Sequence, residues 1–147
     1  MDSPTARYYR ARTETTNTFG RVLCAVRDQH FIVDGPVQNG CPGEAPTPGE
    51  LILAAAAACG TELIQVLARD RQIPLTRVHV EIEGMVDRED QPRNDVTTFN
   101  RVKLHVALTG VSAEQGESLV GAYRQRCPVY GSLAVASGSV EVTHSTS

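Results

Sequence analysis

Hydrophobic spacing divides this chain into short strands, one long apolar helix, and a second set of strands and helices. Residues 8–16 are rich in Tyr and Thr with imperfect alternation and predict a strand. Thr16-Asn-Thr-Phe-Gly20 reads as a turn, residues 21–26 as a second strand, and Asp28-Gln29 as a tight connection to a third at residues 30–33. Residues 34–46 are rich in Gly and Pro and carry no period, which makes them a loop. Residues 51–58 are apolar at every position, so this stretch predicts a helix buried on all sides. From Glu62 the pattern turns amphipathic, with Leu63, Val66 and Leu67 set against Gln65, Arg69 and Asp70, until Pro74 ends it.

The start of that helix is the best-marked boundary in the chain. Thr47 suits the N-cap, Pro48 the first helical position, and Glu50 stands three after the cap to complete a capping box. Further on, Val78, Val80 and Ile82 alternate with Arg77, His79, Glu81 and Glu83. Val102, Leu104, Val106 and Leu108 alternate likewise with Arg101, Lys103 and His105. Each stretch predicts a strand with one core face and one wet face, the outward acids of the first able to pair with the outward bases of the second. Residues 87–94 form a charged loop between them. Ser112 caps a helix to about Arg126 on which Leu119, Val120 and Tyr123 share a face. Pro128 opens a short further helix, and residues 139–143 close with a strand. Strands grouped on either side of a long helix mean an α+β fold, and 147 residues predict one domain with room for a core.

Composition narrows the partners. Charged residues make up 21% and the net charge is -3, which argues against nucleic acid. No apolar run approaches the roughly 20 residues that span a bilayer. The opening Met1-Asp-Ser-Pro-Thr-Ala-Arg7 lacks the order of a signal peptide. The expectation is a cytoplasmic protein with no membrane partner, in a compartment where thiols stay reduced unless they are catalytic or sensing.

Chemistry therefore centres on the four cysteines. Cys59 lies deep in its helix, beyond reach of the positive N-terminal end. Ile52, Ala55, Ala56, Leu63 and Val66 share its surroundings, so it reads equally well as a small core residue. Cys127 falls at the predicted N-cap of the helix that begins with Pro128, with Arg124 and Arg126 close by, a setting that favours thiolate. Cys24 reads as core, and Cys41, in the Gly/Pro loop, as exposed or as an extra redox partner. The histidines are scattered, with His79 and His105 on wet sheet faces. No C-x-x-C, H-E-x-x-H, phosphate loop, nucleotide fingerprint or G-x-S-x-G is present, so neither metal nor cofactor is expected.

Taken together, Phe31-Ile-Val-Asp-Gly-Pro36, then Pro46-Thr-Pro-Gly-Glu-Leu-Ile-Leu53 running into Cys59, Cys127-Pro-Val129, and a closing Val140-Glu-Val-Thr-His144 resemble the OsmC/Ohr family of thiol peroxidases. The resemblance covers nearly the whole chain. It implies antiparallel sheets wrapped around long central helices in an intertwined homodimer, with active sites at the subunit interface. It implies Cys59 as the peroxidatic thiol and Cys127 as the resolving one, reducing small organic hydroperoxides at the expense of an external dithiol. An apolar wall of Leu51, Ile52 and Ala55 would favour organic peroxides over hydrogen peroxide. In this family an Arg and a Glu activate the reactive cysteine, the Glu directly after the Pro of the helix start. Gly49 stands there in this chain. Glu50, one residue on and about 100° round the helix, is the candidate acid, although the capping box claims it first. Arg21, beside the first hairpin turn, is the candidate for the activating Arg, with Arg27 behind it.

These departures are those of the broader OsmC-like branch. Local electrostatics favour Cys127 as the readier thiolate, whereas the resemblance assigns attack to Cys59. Two other classes stay open: a protein whose pocket binds a small apolar ligand, and a redox sensor whose disulfide is read by a partner.

Overall fold

The structure is a computed structural model and describes residues 3–147; Met1 and Asp2, which open the N-terminal segment discussed above, lie outside it. The chain divides into two compact units, one ending at Leu51 and one spanning Ile52–Ser147. The architecture is α+β, as the spacing of apolar residues predicts.

The first unit is a three-stranded antiparallel sheet of β1 (Arg12–Thr15), β2 (Arg21–Val26) and β3 (Gln29–Asp34), in that order. β1 is shorter than its Tyr- and Thr-rich pattern predicts. Its register ends with Arg12 opposite Ala25, and β2 stops one residue later at Val26, so the chain upstream has no strand to pair with. The connection to β3 lies one residue earlier than expected, at Arg27-Asp28, because Val26 pairs with Gln29 and Arg27 takes a left-handed φ of 54°.

A buried charge ties the Gly/Pro loop to this hairpin. Asp34 is fully buried, and Arg21, its register partner, donates to both its carboxylate oxygens at 2.8 Å. The backbone N–H groups of Glu44 and Ala45 also donate to Asp34 Oδ2, at 3.0 and 2.8 Å, and Arg21 reaches Glu44 at 2.7 Å. Bonded first by Arg21 and then by the loop backbone, the Asp34 carboxyl is held well below its ordinary range. Close packing adds to this, since a Cβ at Gly20 or Gly35 would collide with the Cys41 sulfur. At the end of the loop the capping box forms as expected. Thr47 N–H donates to Glu50 at 2.7 Å, and Glu50 N–H returns to Thr47 Oγ1 at 3.4 Å.

Helix α1 (Pro48–Asp70) follows. Its buried residues are Ala56, Gly60, Ile64, Leu67 and Ala68, spaced along one face. The all-round burial expected of residues 51–58 is not met by the chain itself. Ile52 is 43% exposed, and Ala54, Ala55 and Ala58 are exposed as well. On the amphipathic half, Ile64 replaces Leu63 and Val66 as the deep residue, and those two are half-buried. The expectation that no segment is long and apolar enough to cross a membrane is also corrected. By length and composition α1 qualifies, with 23 residues and a window of mean hydropathy 1.9. A core helix satisfies the same test, because an apolar circumference suits any surroundings without water. The helix stops at Asp70, and Gln72 (φ 55°) turns the chain left-handed while Ile73 N–H bonds back to Ala68 at 2.9 Å, before Pro74 is reached.

The second unit holds a sheet of β4 (Arg77–Met85), β5 (Arg101–Thr109) and β6 (Ser139–Thr146), covered by α2 (Ala113–Arg126) and α3 (Pro128–Ala136). β4 and β5 are antiparallel with Glu81 opposite His105 and Glu83 opposite Lys103, the acid-to-base register the alternation predicts. β6 joins β5 in parallel, a pairing that needs a long crossover, and α2 with α3 supplies it. It runs past the predicted end at 143 because β5 offers partners as far as Leu108, opposite Thr146. The central strand β5 buries Leu104, Val106 and Leu108 in one cluster with Leu119, Val120 and Tyr123 of α2 and Ile64 and Leu67 of α1, and Val102 is buried as well. Gly116 lets α2 lie down on β6, since a Cβ there would stand 2.5 Å from Thr146 Cγ2. Ser112 and Gln115 cap α2 reciprocally, at 3.2 and 3.0 Å.

Two outcomes test this account. Leu119 is fully buried between helix and sheet, so Leu119→Ala is expected to lower unfolding free energy in urea by about 2–5 kcal/mol; a loss under about 1 kcal/mol would mean the core lies elsewhere. Asp34, with its folded pKa depressed, stabilises the fold above its ordinary value of about 4, and that contribution is lost as pH falls below it toward the folded value. The stability gap between wild type and Asp34→Asn should therefore be widest near neutrality and narrow below about pH 4; a gap independent of pH would rule out the ionised carboxylate as its source.

Candidate active site

Cys59 and Cys127 form a disulfide across 68 residues of sequence, with their Cα atoms 6.7 Å apart. Local chemistry prepares each end. The residue before a proline is pushed out of helical conformation, so the chain must leave α2 at Cys127 and can re-enter a helix at Pro128. Cys127 accordingly takes φ -80° and ψ 114°, serving at once as C-cap of α2 and N-cap of α3. Its N–H donates to Tyr123 O at 2.9 Å, and its sulfur accepts the N–H of Tyr130 at 3.3 Å. The sulfur is thus buried at the positive end of α3, where a thiolate is favoured once the bridge opens. Cys59 has no such terminus. It lies half-buried in mid-helix, packed against the core cluster that contains Cys127, Tyr123 and Tyr130.

Gly60, next to Cys59, packs against Tyr123 of α2. A Cβ on Gly60 would lie 3.2 Å from Tyr123 Cζ and 3.4 Å from its hydroxyl oxygen. Tyr123 is fully buried, its ring 5.4 Å from that of Tyr130, and burial pushes its hydroxyl up to about 12. That hydroxyl has no hydrogen-bond partner among the described residues, whereas the Tyr130 hydroxyl accepts from Arg124 Nε at 3.3 Å. Sequence reading treats Tyr123 only as a core residue. The signal that marks it is its position four before Cys127 combined with a hydroxyl that needs a partner when buried.

The remaining predicted residues are engaged as follows. Arg21 is held by Asp34 and Glu44; hydrogen bonding to Asp34 and then Glu44 raises its pKa, so it keeps its charge. Glu50 serves the capping box, its carboxyl pushed down chiefly by the N–H of Thr47 and then by the Thr47 hydroxyl. The structure therefore joins Cys59 to Cys127, Arg21 to Asp34 and Glu44, and Glu50 to Thr47. Arg27 is exposed at the hairpin turn, and Arg126 is exposed at the end of α2. Cys24 is free and buried, as predicted, and Cys41 is free and half-buried. His105 bonds Thr143 at 2.7 Å and Ser145 at 3.2 Å on the wet side of the sheet. No cluster of side chains able to hold a metal occurs among the described residues.

Comparison with known proteins bears on the fold. Among solved structures, an organic hydroperoxide resistance protein from Elizabethkingia anophelis is 19% identical with a TM-score of 0.80, covering 99% of this chain and 100% of its own. An organic hydroperoxide resistance protein OsmC from Legionella pneumophila is 22% identical with a TM-score of 0.75, covering 95% and 97%. An OsmC-like protein from Mycoplasma pneumoniae is 13% identical with a TM-score of 0.78, covering 96% of each chain. At such identities these likenesses speak for the fold alone. No curated protein matches the sequence. The profile of the OsmC-like protein family matches residues 41–143, well over half of the chain and inclusive of both bridged cysteines. On that match, with the fold beside it, the chain belongs to the OsmC-like protein family.

Proposed function

We propose that this protein is a thiol peroxidase that reduces small organic hydroperoxides by a two-cysteine cycle. The observation that carries the reading is the Cys59–Cys127 bridge, which joins a mid-helix sulfur to one at a helix N-terminus. The Legionella and Elizabethkingia proteins, described as organic hydroperoxide resistance proteins, support hydroperoxides as the substrate class.

The cycle balances in three steps. Cys59 thiolate attacks the distal oxygen of the hydroperoxide; the O–O bond breaks, the alcohol leaves with a proton, and Cys59 becomes a sulfenic acid. Cys127 thiolate then attacks the Cys59 sulfur, forming the S–S bond and releasing the oxygen as water with one further proton. An external dithiol restores both thiols by exchange and is itself oxidised to a disulfide. Buried at the positive end of α3, Cys127 suits the second step, because a resolving thiol works as a thiolate. Ile52 and Ala55, exposed and apolar, suit an organic substituent better than hydrogen peroxide. The reading includes a second copy of the chain covering the apolar half of α1 that the chain itself leaves exposed.

Turnover of cumene hydroperoxide and hydrogen peroxide with a dithiol reductant tests the cycle. The expected result is saturable turnover that prefers the organic peroxide, falls to background in Cys59→Ser, and in Cys127→Ser leaves a sulfenic acid at Cys59 trappable by a 1,3-dione. Absence of turnover in the wild type with both thiols reduced would sink the reading. Glu50→Gln separates cap from charge, since Gln at this position completes a capping box equally well; turnover should be unchanged, and a collapse would show that the carboxylate itself takes part. In solution the chain should have twice its 15.9 kDa mass, and Ile52→Glu should shift it to monomer. A wild type that is monomeric at micromolar concentration would overturn the second copy.

A further inference from the structure

Two buried side-chain oxygens among the described residues have no hydrogen-bond partner, Thr98 Oγ1 and Tyr123 Oη. The first lies in the loop between β4 and β5. The second belongs to a core residue that packs against Gly60, the residue after Cys59. Tyr123 precedes Cys127 by one helical turn and takes the Cys127 N–H on its own carbonyl at 2.9 Å. The outer end of its ring, Cζ, Cε2 and the hydroxyl, is laid against Gly60, the residue that follows Cys59, within 3.2–3.4 Å of the place a Cβ would occupy. Packing on Tyr130 and burial in the core cluster hold the ring there. A donor is therefore fixed against the residue that follows Cys59, one helical turn before Cys127, without a hydrogen bond of its own.

Sulfur changes as an acceptor with its oxidation state. A disulfide sulfur accepts weakly, whereas a thiolate carries a full charge and takes charge-assisted bonds. We propose that the Tyr123 hydroxyl is a donor selective for the reduced state: unpaired while Cys59 and Cys127 are bridged, and donating to the Cys59 sulfur when the bridge opens. Tyr123 keeps its proton throughout and no bond to oxygen is made or broken. It is a positioning residue whose hydrogen bond exists in one redox state only. An unmet buried donor raises the free energy of the bridged form, and the new bond lowers that of the dithiol. Both effects make the bridge easier for an external dithiol to open. The inference rests on the proposed cycling of this cysteine pair and names what sets its potential.

Tyr123→Phe removes the hydroxyl and keeps the ring. Wild type and variant are equilibrated in dithiothreitol buffers of graded potential, and the Cys59–Cys127 bridge is quantified by peptide mass spectrometry, which separates it from Cys24 and Cys41. The expected result is an equilibrium constant about tenfold more in favour of the disulfide, a potential about 30 mV more negative. The oxidised variant should be at least as stable to heat as oxidised wild type, and the reduced variant less stable than reduced wild type. An unchanged potential, or an equal loss of stability in both states, overturns the inference, because a purely packing role would show the second pattern. If Tyr123→Phe does not fold, the wild type still decides. The chain has no Trp and 4 Tyr, so opening the bridge should red-shift the tyrosine absorption, and an unshifted spectrum counts against the proposal. None of these measurements uses a peroxide. A protein that shows the shift but turns over no hydroperoxide loses the proposed activity and keeps this inference.

Discussion

Two cysteines can be bridged only where their backbones come within about 7 Å, and in this chain that closeness depends on a glycine. Gly60 presents no side chain toward α2, and the Tyr123 ring occupies the space, so that α1 and the α2–α3 junction approach until Cys59 and Cys127 lie 6.7 Å apart at their Cα atoms. A methyl group at Gly60 would press on the ring at 3.2 Å, tighter than ordinary contact. Around this point the second unit is arranged: β5 buries its apolar face beneath the same helices, and Gly116 brings α2 down on β6 at the other end. The site and the core are one packing problem.

The two sulfurs stand in unlike fields, and the difference comes from backbone chemistry. Cys127 sits where a proline forces one helix to end and allows the next to begin, which leaves its sulfur accepting an N–H at a positive helix end. Cys59 sits amid an Ala-rich run with its backbone groups already paired. Its help must come from side chains, and the Tyr123 hydroxyl, packed against the neighbouring Gly60, is a buried polar group with no partner of its own. In the first unit the strong charges are spent on architecture. Asp34, buried with Arg21 and two loop N–H groups, secures the Gly/Pro loop to its hairpin, and Glu50 secures the start of α1. A buried carboxylate satisfied on every side is costly to remove, which is how one aspartate can organise a loop with so little regular structure.

Legibility in the sequence followed the range of the forces involved. Caps and prolines act over one turn, so Thr47 with Glu50, Ser112, and Cys127-Pro128 marked the starts of their helices closely. Alternation marked β4 and β5 and even their acid-to-base register. Strand ends were less legible, because β1 and β6 extend only as far as a partner strand runs beside them. Burial around α1 was misjudged for a related reason. A run of alanines and leucines states that a helix tolerates dry surroundings and leaves open which sides its own chain will cover.

What this sequence determined by itself was the order of its elements, the points where its helices begin, and a membership in the OsmC-like family written in the motifs around Cys59 and Cys127. Those features rest on φ restrictions, capping and hydrophobic period, all of which act between near neighbours in sequence. The tertiary structure alone decided that Arg21 answers to Asp34 and Glu44, that Ile64 is the deep residue of α1, and that a tyrosine hydroxyl packed against Gly60 is left without a partner. Each of these depends on which surfaces meet across tens of residues, and such meetings are fixed by the packing of whole elements.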